Sequence, residues 1–209
     1  MKHLMVISIL FLVLAGCTGT DATSSPAQET EWAVPDSYTS YTDNSGLFTI
    51  SYPGNWEAIL NPTGVDESEI ETLIEQINLG TLDDAGPIFF WGLPSESGFN
   101  PTCSLVVEPQ SDSQRDIQQV MEESIGFMKE IWTGFQQVSL EYEVLNGREI
   151  AVLEYTATIS EVQVHSLVLV TIDKDVIWTN GCVVKLTSVE YRWFDIPLNK
   201  IVRSLEIHP

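Results

Sequence analysis

The histidines are the first residues to consider for chemistry, because nucleophilic and zinc-dependent catalysis both commonly use an imidazole. Only three are present: His3 in the N-terminal leader, His165 in the middle of a predicted strand, and the penultimate residue His208. A lone histidine in a strand is typical of a half-buried structural residue, and no Cys/His spacing completes a zinc site. We therefore predict no catalytic residue, no metal and no cofactor, and we expect a protein that is not an enzyme.

The acidic residues offer a second possible chemistry, the binding of calcium. Asp66, Glu67 and Glu69 could supply oxygen ligands, but the stretch lacks the alternating ligands and central glycine of an EF-hand loop. Acids are favoured in the first turn of a helix, and apolar residues follow at helical spacing from Ile70 to Ile77. Helix capping explains these acids better. The sequence also lacks a phosphate-binding glycine loop, a nucleophile elbow and a zinc-protease helix motif.

Cys17 carries the most specific chemical signal in the chain. It ends the segment Leu14-Ala15-Gly16-Cys17, which closes an apolar run that begins at Leu4. This run is too short to cross a bilayer core of about 30 Å as a helix and suits a signal-peptide core. The segment resembles a bacterial lipobox, which implies that residues 1–16 are a lipoprotein signal peptide and that Cys17 carries a diacylglycerol with a palmitate-type acyl chain. The alternative is an ordinary secretory signal cut near Ala15.

Lipidation would hold the protein on the extracytoplasmic face of a cell membrane by acyl chains rather than by a helix. Residues 17–37 are rich in Thr, Ser, Asp, Ala, Pro and Gln, and this composition predicts a flexible tether. Which membrane of a two-membrane cell would receive the lipid stays open.

The other two cysteines, Cys103 and Cys182, form an even pair in a chain expected to reach an oxidising compartment. Both lie at or near predicted strands. The sequence leaves two alternatives, a disulfide between them or two buried thiols.

The charge balance is strongly acidic, with 30 Asp and Glu against 9 Lys and Arg and a formal net charge of −21. Such a charge opposes binding to nucleic-acid phosphates or anionic lipid head groups and suits a basic partner. We expect the membrane, reached through the lipid on Cys17, and an unidentified protein as the partners. The oligomeric state stays open.

Residues 46–60 predict the first elements of the folded domain. Phe48, Ile50 and Tyr52 alternate with polar residues, which is typical of a half-buried strand. Pro53-Gly54-Asn55 would then turn the chain into a second strand from Trp56 to Leu60, so we predict a tight hairpin. An insertion over 61–102 follows, and its residues 70–77 predict a helix.

Strands and two further helices follow the insertion. A short strand covers 104–107. Ser113 and Asp116 approximate a capping box for a helix whose buried face runs from Ile117 to Trp132. Val138, Leu140, Tyr142 and Val144 alternate with polar residues, and Asn146-Gly147 is a strong hairpin signal. Three more strands follow, over 148–159, 162–172 and 176–187, and residues 188–205 predict a closing helix. This order predicts an α+β fold with an antiparallel sheet of about six strands.

The pattern resembles the PsbP-like fold over residues 38–209. The resemblance rests on the opening aromatic, glycine, strand, proline and tryptophan, on the Asn146-Gly147 meander and on the closing helix, namely Tyr41, Gly46, Phe48, Ile50, Tyr52, Pro53, Trp56, Phe194, Ile201, Val202, Arg203, Ser204 and Leu205. It implies an α/β/α sandwich with helices on both faces of the sheet. The family includes extrinsic subunits of the oxygen-evolving photosystem and many bacterial lipoproteins, and it implies an accessory or binding module.

The insertion contains the apolar run Ile88-Phe89-Phe90-Trp91, which either covers the core or forms a partner or ligand patch. The sequence as a whole predicts a lipid-anchored extracytoplasmic accessory or binding protein without catalytic activity. One alternative is a carrier of a small apolar ligand in a pocket between the sheet and the insertion. A further alternative is a photosystem-type accessory subunit.

Overall fold

A computed structural model describes residues 37–43, 46–54, 56–60, 87–92, 102–110, 115–159, 161–186 and 197–208, and for 57–60 and 87–92 it describes the backbone alone. Within these ranges the chain forms ten strands and two helices. The strands are β1 (Tyr38–Thr42), β2 (Phe48–Pro53), β3 (Glu57–Leu60), β4 (Pro87–Gly92), β5 (Thr102–Pro109), β6 (Thr133–Leu145), β7 (Arg148–Ile159), β8 (Val162–Asp173), β9 (Val176–Lys185) and β10 (Glu206–Ile207), and the helices are α1 (Ile117–Ile131) and α2 (Asn199–Val202).

These strands form two antiparallel sheets instead of the single sheet of about six strands predicted. A large sheet has the order β3-β4-β5-β9-β8-β7-β6, and a small sheet has the order β1-β2-β10. The predicted hairpin between β2 and β3 is wrong. Because β1 and β10 occupy the two edges of β2, the chain leaves the small sheet after Pro53, and β3 pairs with β4 instead.

The predicted meander from β6 to β9 is present, with neighbouring strands paired antiparallel. Asn146 and Gly147 have φ values of 52° and 80°, and Lys174 and Asp175 have 50° and 61°. Two consecutive residues with positive φ make the tight two-residue turn whose twist matches that of the flanking strands. Gly147 suits this conformation because it has no Cβ to clash.

One face of the large sheet packs against α1 and is called the helix face below. It carries Ala151, Leu153 and Tyr155 of β7 and Val164, Val168 and Val170 of β8. These residues pack against the apolar stripe of α1, namely Ile117, Val120, Met121, Ile125 and Met128. The Tyr155 ring stacks with the rings of Trp132 and Phe135, at centroid distances of 5.3 and 5.2 Å. Complete burial raises the pKa of Tyr155.

The opposite face of the large sheet packs against the small sheet and the C-terminal segment, and it is called the small-sheet face below. Its cluster joins Ile150 and Val152 of β7 to Phe48 and Ile50 of β2 and to residues around α2. The buried Asn180 amide donates to the Val202 carbonyl oxygen at 3.0 Å. The Ser204 hydroxyl accepts a hydrogen bond from the Ser51 backbone amide at 2.8 Å, and its one proton is within reach of the carbonyl oxygens of Ile201 and Ser51, at 2.7 and 3.1 Å. These contacts hold the C-terminal segment against β2.

The C-terminal segment differs from the long helix predicted over residues 188–205. Within 197–208 the only α-helical segment is α2, of four residues, and β10 follows it and pairs with β2. The described part of the layer on the small-sheet face is a three-stranded sheet with one helical turn, and residues 188–196 of the predicted helix lie outside the described residues. The helix predicted over residues 70–77 lies outside the described residues.

The long helix α1 is confirmed at Ile117–Ile131, but its N-cap differs from the predicted capping box. Asp116 is the N-cap. Its carboxylate accepts a hydrogen bond from the Gln119 backbone amide at 2.9 Å, and the Gln119 side-chain oxygen accepts one from the Asp116 backbone amide at 3.2 Å. The capping box therefore begins at Asp116 and not at Ser113, which lies outside the described residues. Ile131, placed on the buried face by spacing, is 48% exposed at the C-terminal end of the helix.

Cys103 and Cys182 are joined by a disulfide, the first of the two alternatives that the sequence left open. They lie directly opposite each other on β5 and β9, and both are fully buried. The bond closes a chain segment with a sequence separation of 79 residues across the centre of the large sheet.

Replacing Asp116 by alanine should lower the free energy of unfolding by about 1 kcal/mol, because the Gln119 amide loses its acceptor. Asp116→Asn is the matched control, since asparagine caps helices about as well as aspartate. Urea unfolding followed by circular dichroism measures both. An alanine variant as stable as the asparagine variant would show that the cap contributes nothing.

Removing the disulfide should cost about 3–5 kcal/mol of stability on the loop-entropy model, because the unfolded chain gains freedom across a long segment. The comparison is the Cys103→Ala/Cys182→Ala variant against the oxidised wild type, by thermal and urea unfolding. Alkylation of the denatured, unreduced protein followed by mass measurement checks the bond itself. Labelling of both residues under these conditions would contradict it.

Candidate functional site

The apolar run proposed as a patch, Ile88-Phe89-Phe90-Trp91, forms most of β4, between β3 and β5. Its register places Trp91 opposite Cys103 and Phe90 opposite Ser104. The side chains of this run lie outside the described part of the structure, so a role in the core or in a patch stays a prediction. Cys17 and residues 1–36 also lie outside the described residues.

His165 is only 2% exposed and forms part of a polar cluster on the small-sheet face. Its Nε2 lies 2.8 Å from Oε1 of Glu154, and the Ser139 hydroxyl donates to the other oxygen of Glu154 at 3.4 Å. A serine nucleophile needs a hydrogen bond from its hydroxyl to the imidazole, whereas here the Glu154 carboxylate lies between the Ser139 hydroxyl and the His165 ring. The geometry suits a buried polar pair that helps to hold β7 against β8.

Among the described residues, no three His, Cys, Asp or Glu side chains come together in a way that could hold a metal ion. In the same ranges no helix is both long enough and apolar enough to cross a membrane.

A cleft of about 290 Å³ opens where the turn between β6 and β7 meets the C-terminal segment. Ile150, Leu169 and Ile207 contribute apolar wall, and Arg148 and His208 contribute polar wall. Two of these groups already have partners: Arg148 Nε lies 3.2 Å from an Asp173 oxygen, and His208 Nε2 lies 2.9 Å from Thr49 Oγ1. The cleft differs in place and polarity from the apolar pocket expected beside the insertion.

The most unusual surface is the edge strand β6. In the part of the chain that the structure describes, β6 pairs with β7 alone, although it is thirteen residues long. Three of its large apolar side chains are exposed: Val144 by 68%, Val138 by 56% and Tyr142 by 42%. Long edge strands with exposed apolar residues are prone to pair with further strands.

The register of the hairpin indicates which backbone groups of β6 point outward. Leu145 and Arg148 flank the Asn146-Gly147 turn and face each other, so their backbone groups bond across the hairpin. Backbone direction alternates along a strand, and the register is regular from Ser139 to Leu145. The amides and carbonyls of the alternate residues Leu140, Tyr142 and Val144 therefore point away from β7. The outer side of Ser139–Leu145 is called the open edge below.

The two faces beside the open edge differ in chemistry. On the helix face, Tyr142 and Val144 are apolar, and burial together with the carboxylates of Glu122 and Asp116 raises the pKa of Tyr142. On the small-sheet face, Glu141 and Glu143 project as carboxylates. Among the described residues one cation reaches them: the Arg203 guanidinium contacts Glu143 and lies 3.7 Å from a Glu141 oxygen.

Sequence reasoning missed this surface, because the alternation of Val138, Leu140, Tyr142 and Val144 with polar residues is the pattern of a strand with one buried face. Of these four, only Leu140 packs as a partly buried side chain against the α1 cluster. The available signal was the placement of β6 first in the meander, which makes it a natural edge.

Comparison with known proteins found no matching family model and no matching curated sequence. Several solved structures match by fold. The cyanobacterial PsbP protein CyanoP of Synechocystis sp. PCC 6803 is 12% identical with a TM-score of 0.55, covering 93% of this chain and 99% of its own. LpqN of Mycobacterium tuberculosis, described as involved in cell envelope biogenesis, is 13% identical with a TM-score of 0.52, covering 83% and 91%.

A third structure, PA94 of Pseudomonas aeruginosa, is described as a protein of unknown function and putative regulator. It is 10% identical with a TM-score of 0.50 and covers 82% of this chain and 98% of its own. Likeness at this level of identity concerns the arrangement of strands and helices and not the activity. The shared topology shows that this chain has a PsbP-like fold.

Proposed function

We propose that the protein is a lipid-anchored, extracytoplasmic accessory protein that binds another protein and does not catalyse a reaction. The observation that carries the proposal is the open edge of β6 with its exposed Tyr142 and Val144. Among the described residues nothing pairs with this edge, and a partner strand would both satisfy its backbone groups and cover Tyr142 and Val144.

The N-terminal segment and the fold likenesses support the anchored, accessory part of the proposal. Leu14-Ala15-Gly16-Cys17 has the form of a lipobox behind an apolar core. LpqN, with the same fold, is described as involved in cell envelope biogenesis, which agrees with a place in the envelope. CyanoP supports a photosystem-type subunit by fold analogy alone.

Carriage of a small ligand is the second candidate, and the cleft beside the β6–β7 turn is the observation in its favour. Its volume of about 290 Å³ is at the lower end of ligand sites, and Arg148 and His208 make its wall partly polar. These properties fit an apolar cargo less well than the open edge fits a protein.

Replacing Cys17 by alanine should move the protein from the membrane fraction to the soluble fraction, because the thioether lipid has no other attachment point in a lipobox. Thr18→Ala, which leaves the cysteine intact, is the matched control. Fractionation of cells and metabolic labelling with a palmitate analogue measure the effect. A Cys17→Ala protein that stays in the membrane fraction and keeps the label would contradict lipid anchoring.

A photoreactive amino acid at Val144 should give a protein adduct in intact cells, because that side chain lies beside the open edge. The same group at the exposed Lys174, in the turn between β8 and β9, is the control. Mass spectrometry of the adducts identifies the partner. The proposal of a protein partner fails if Val144 gives no adduct or gives the same adducts as Lys174.

A further inference from the structure

We infer that the open edge of β6 accepts an extended segment of a different protein as an eighth strand, and that this segment alternates apolar with lysine or arginine residues. The inference rests on the proposed function and names the mode of binding and the chemistry of the partner.

The backbone of Ser139–Leu145 provides the docking template. Leu140, Tyr142 and Val144 direct their amides and carbonyls outward, and the register with β7 is regular throughout this segment. The earlier half of β6 has irregular register between Thr133 and Gln136 and between Gln137 and Ser139. Bulges of this kind block pairing at sheet edges, so strand addition is confined to the regular half.

The side chains of the same segment specify the pattern of the partner strand. Residues directly opposite each other in an antiparallel pair lie on the same face of the sheet. Partner residues opposite Tyr142 and Val144 would therefore lie on the helix face against exposed apolar groups, and those opposite Glu141 and Glu143 would lie against carboxylates. A strand that alternates apolar and basic residues satisfies both faces at once.

Arg203 is an internal example of the chemistry expected from the partner. Its guanidinium contacts Glu143 and approaches Glu141, yet the Glu141 side chain is still 65% exposed. One guanidinium does not balance these carboxylates, and additional cations from a partner would be attracted to them.

The charge pattern of the sequence favours a partner segment from another protein over residues 3–114 of this chain or a second copy of it. From His3 to Gln114 the sequence contains no lysine or arginine, so no segment in that long stretch supplies the basic residues. A second copy would bring its own Glu141 and Glu143 to the same edge, and each copy carries a net charge of −21. Like charges directly opposite across a strand pair are destabilising.

The test measures binding of a fluorescent peptide of alternating lysine and valine, long enough to span Ser139–Leu145, to the full-length protein purified in detergent. One control peptide has the same composition with the lysines and valines in separate blocks. A second is N-methylated on alternate amides, which removes the donors that would meet β6. We expect saturable binding of the alternating peptide alone, with slowed hydrogen exchange at Leu140, Tyr142 and Val144.

Variants of the protein locate the site. Val144→Pro removes one outward backbone amide. The affinity of this variant for the alternating peptide should fall by about fivefold to tenfold, which corresponds to the loss of one hydrogen bond. Val144→Thr keeps the amide and is the matched control. The double change Glu141→Gln/Glu143→Gln should also weaken binding, whereas Glu130→Gln/Glu161→Gln, which removes two negative charges away from the open edge, should not.

Equal binding of the N-methylated or block peptide would overturn the inference, as would full affinity in Val144→Pro. Slow exchange at Leu140, Tyr142 and Val144 without peptide would show that this chain or a second copy already covers the edge, which also overturns it. The peptide controls leave the protein unchanged, so the test holds even if the proline variant fails to fold. If the Val144 photoadduct still forms in cells when Tyr142→Pro is added, strand addition is contradicted, but the proposal of a protein partner is kept.

Discussion

The burial of β8 and β9 on both faces is the constraint on which the rest of the structure depends. From Val164 to Val170 and from Val176 to Val184 every residue is buried, so each face of the sheet needs a covering layer. The helix α1 covers one face, and the small sheet with the C-terminal segment covers the other. Two bonds connect β9 to its neighbours. The disulfide between Cys103 and Cys182 joins β9 to β5, and the hydrogen bond from Asn180 to Val202 joins β9 to the covering layer on the small-sheet face.

In the part of the chain that the structure describes, neither covering layer supplies a strand that pairs with the outer edge of β6. The helix α1 packs over β6, β7 and β8, where Leu140 of β6 joins its cluster, but Tyr142 and Val144 of β6 stay exposed. On the opposite face, among the described residues, the ion pairs to Glu141 and Glu143 of β6 come from Arg203, just after α2. A strand whose outer edge is unpaired, as that of β6 is in the described structure, can bind a partner through its backbone, and charge can select that partner. The proposed accessory function thus follows from how the core is covered.

Local signals in the sequence were sufficient for the meander, its Asn146-Gly147 turn and the helix α1, because each depends on residues close together in the chain. The small sheet could not be predicted in the same way, because β10 pairs with β2 across almost the whole domain and a two-residue strand has no periodicity of its own. The exposure of β6 was also hidden. Alternation of apolar and polar residues indicates that a strand has one apolar face, but only the tertiary arrangement decides whether another element covers that face.

Residue-resolved amide hydrogen exchange along β6 in the full-length protein without a partner tests the central claim most directly. An open edge predicts alternation: the outward amides of Leu140, Tyr142 and Val144 exchange fast, and the inward amides of Glu141 and Glu143, bonded to β7, exchange slowly. Uniformly slow exchange from Ser139 to Leu145 would contradict the account, because it would show that the edge is already paired.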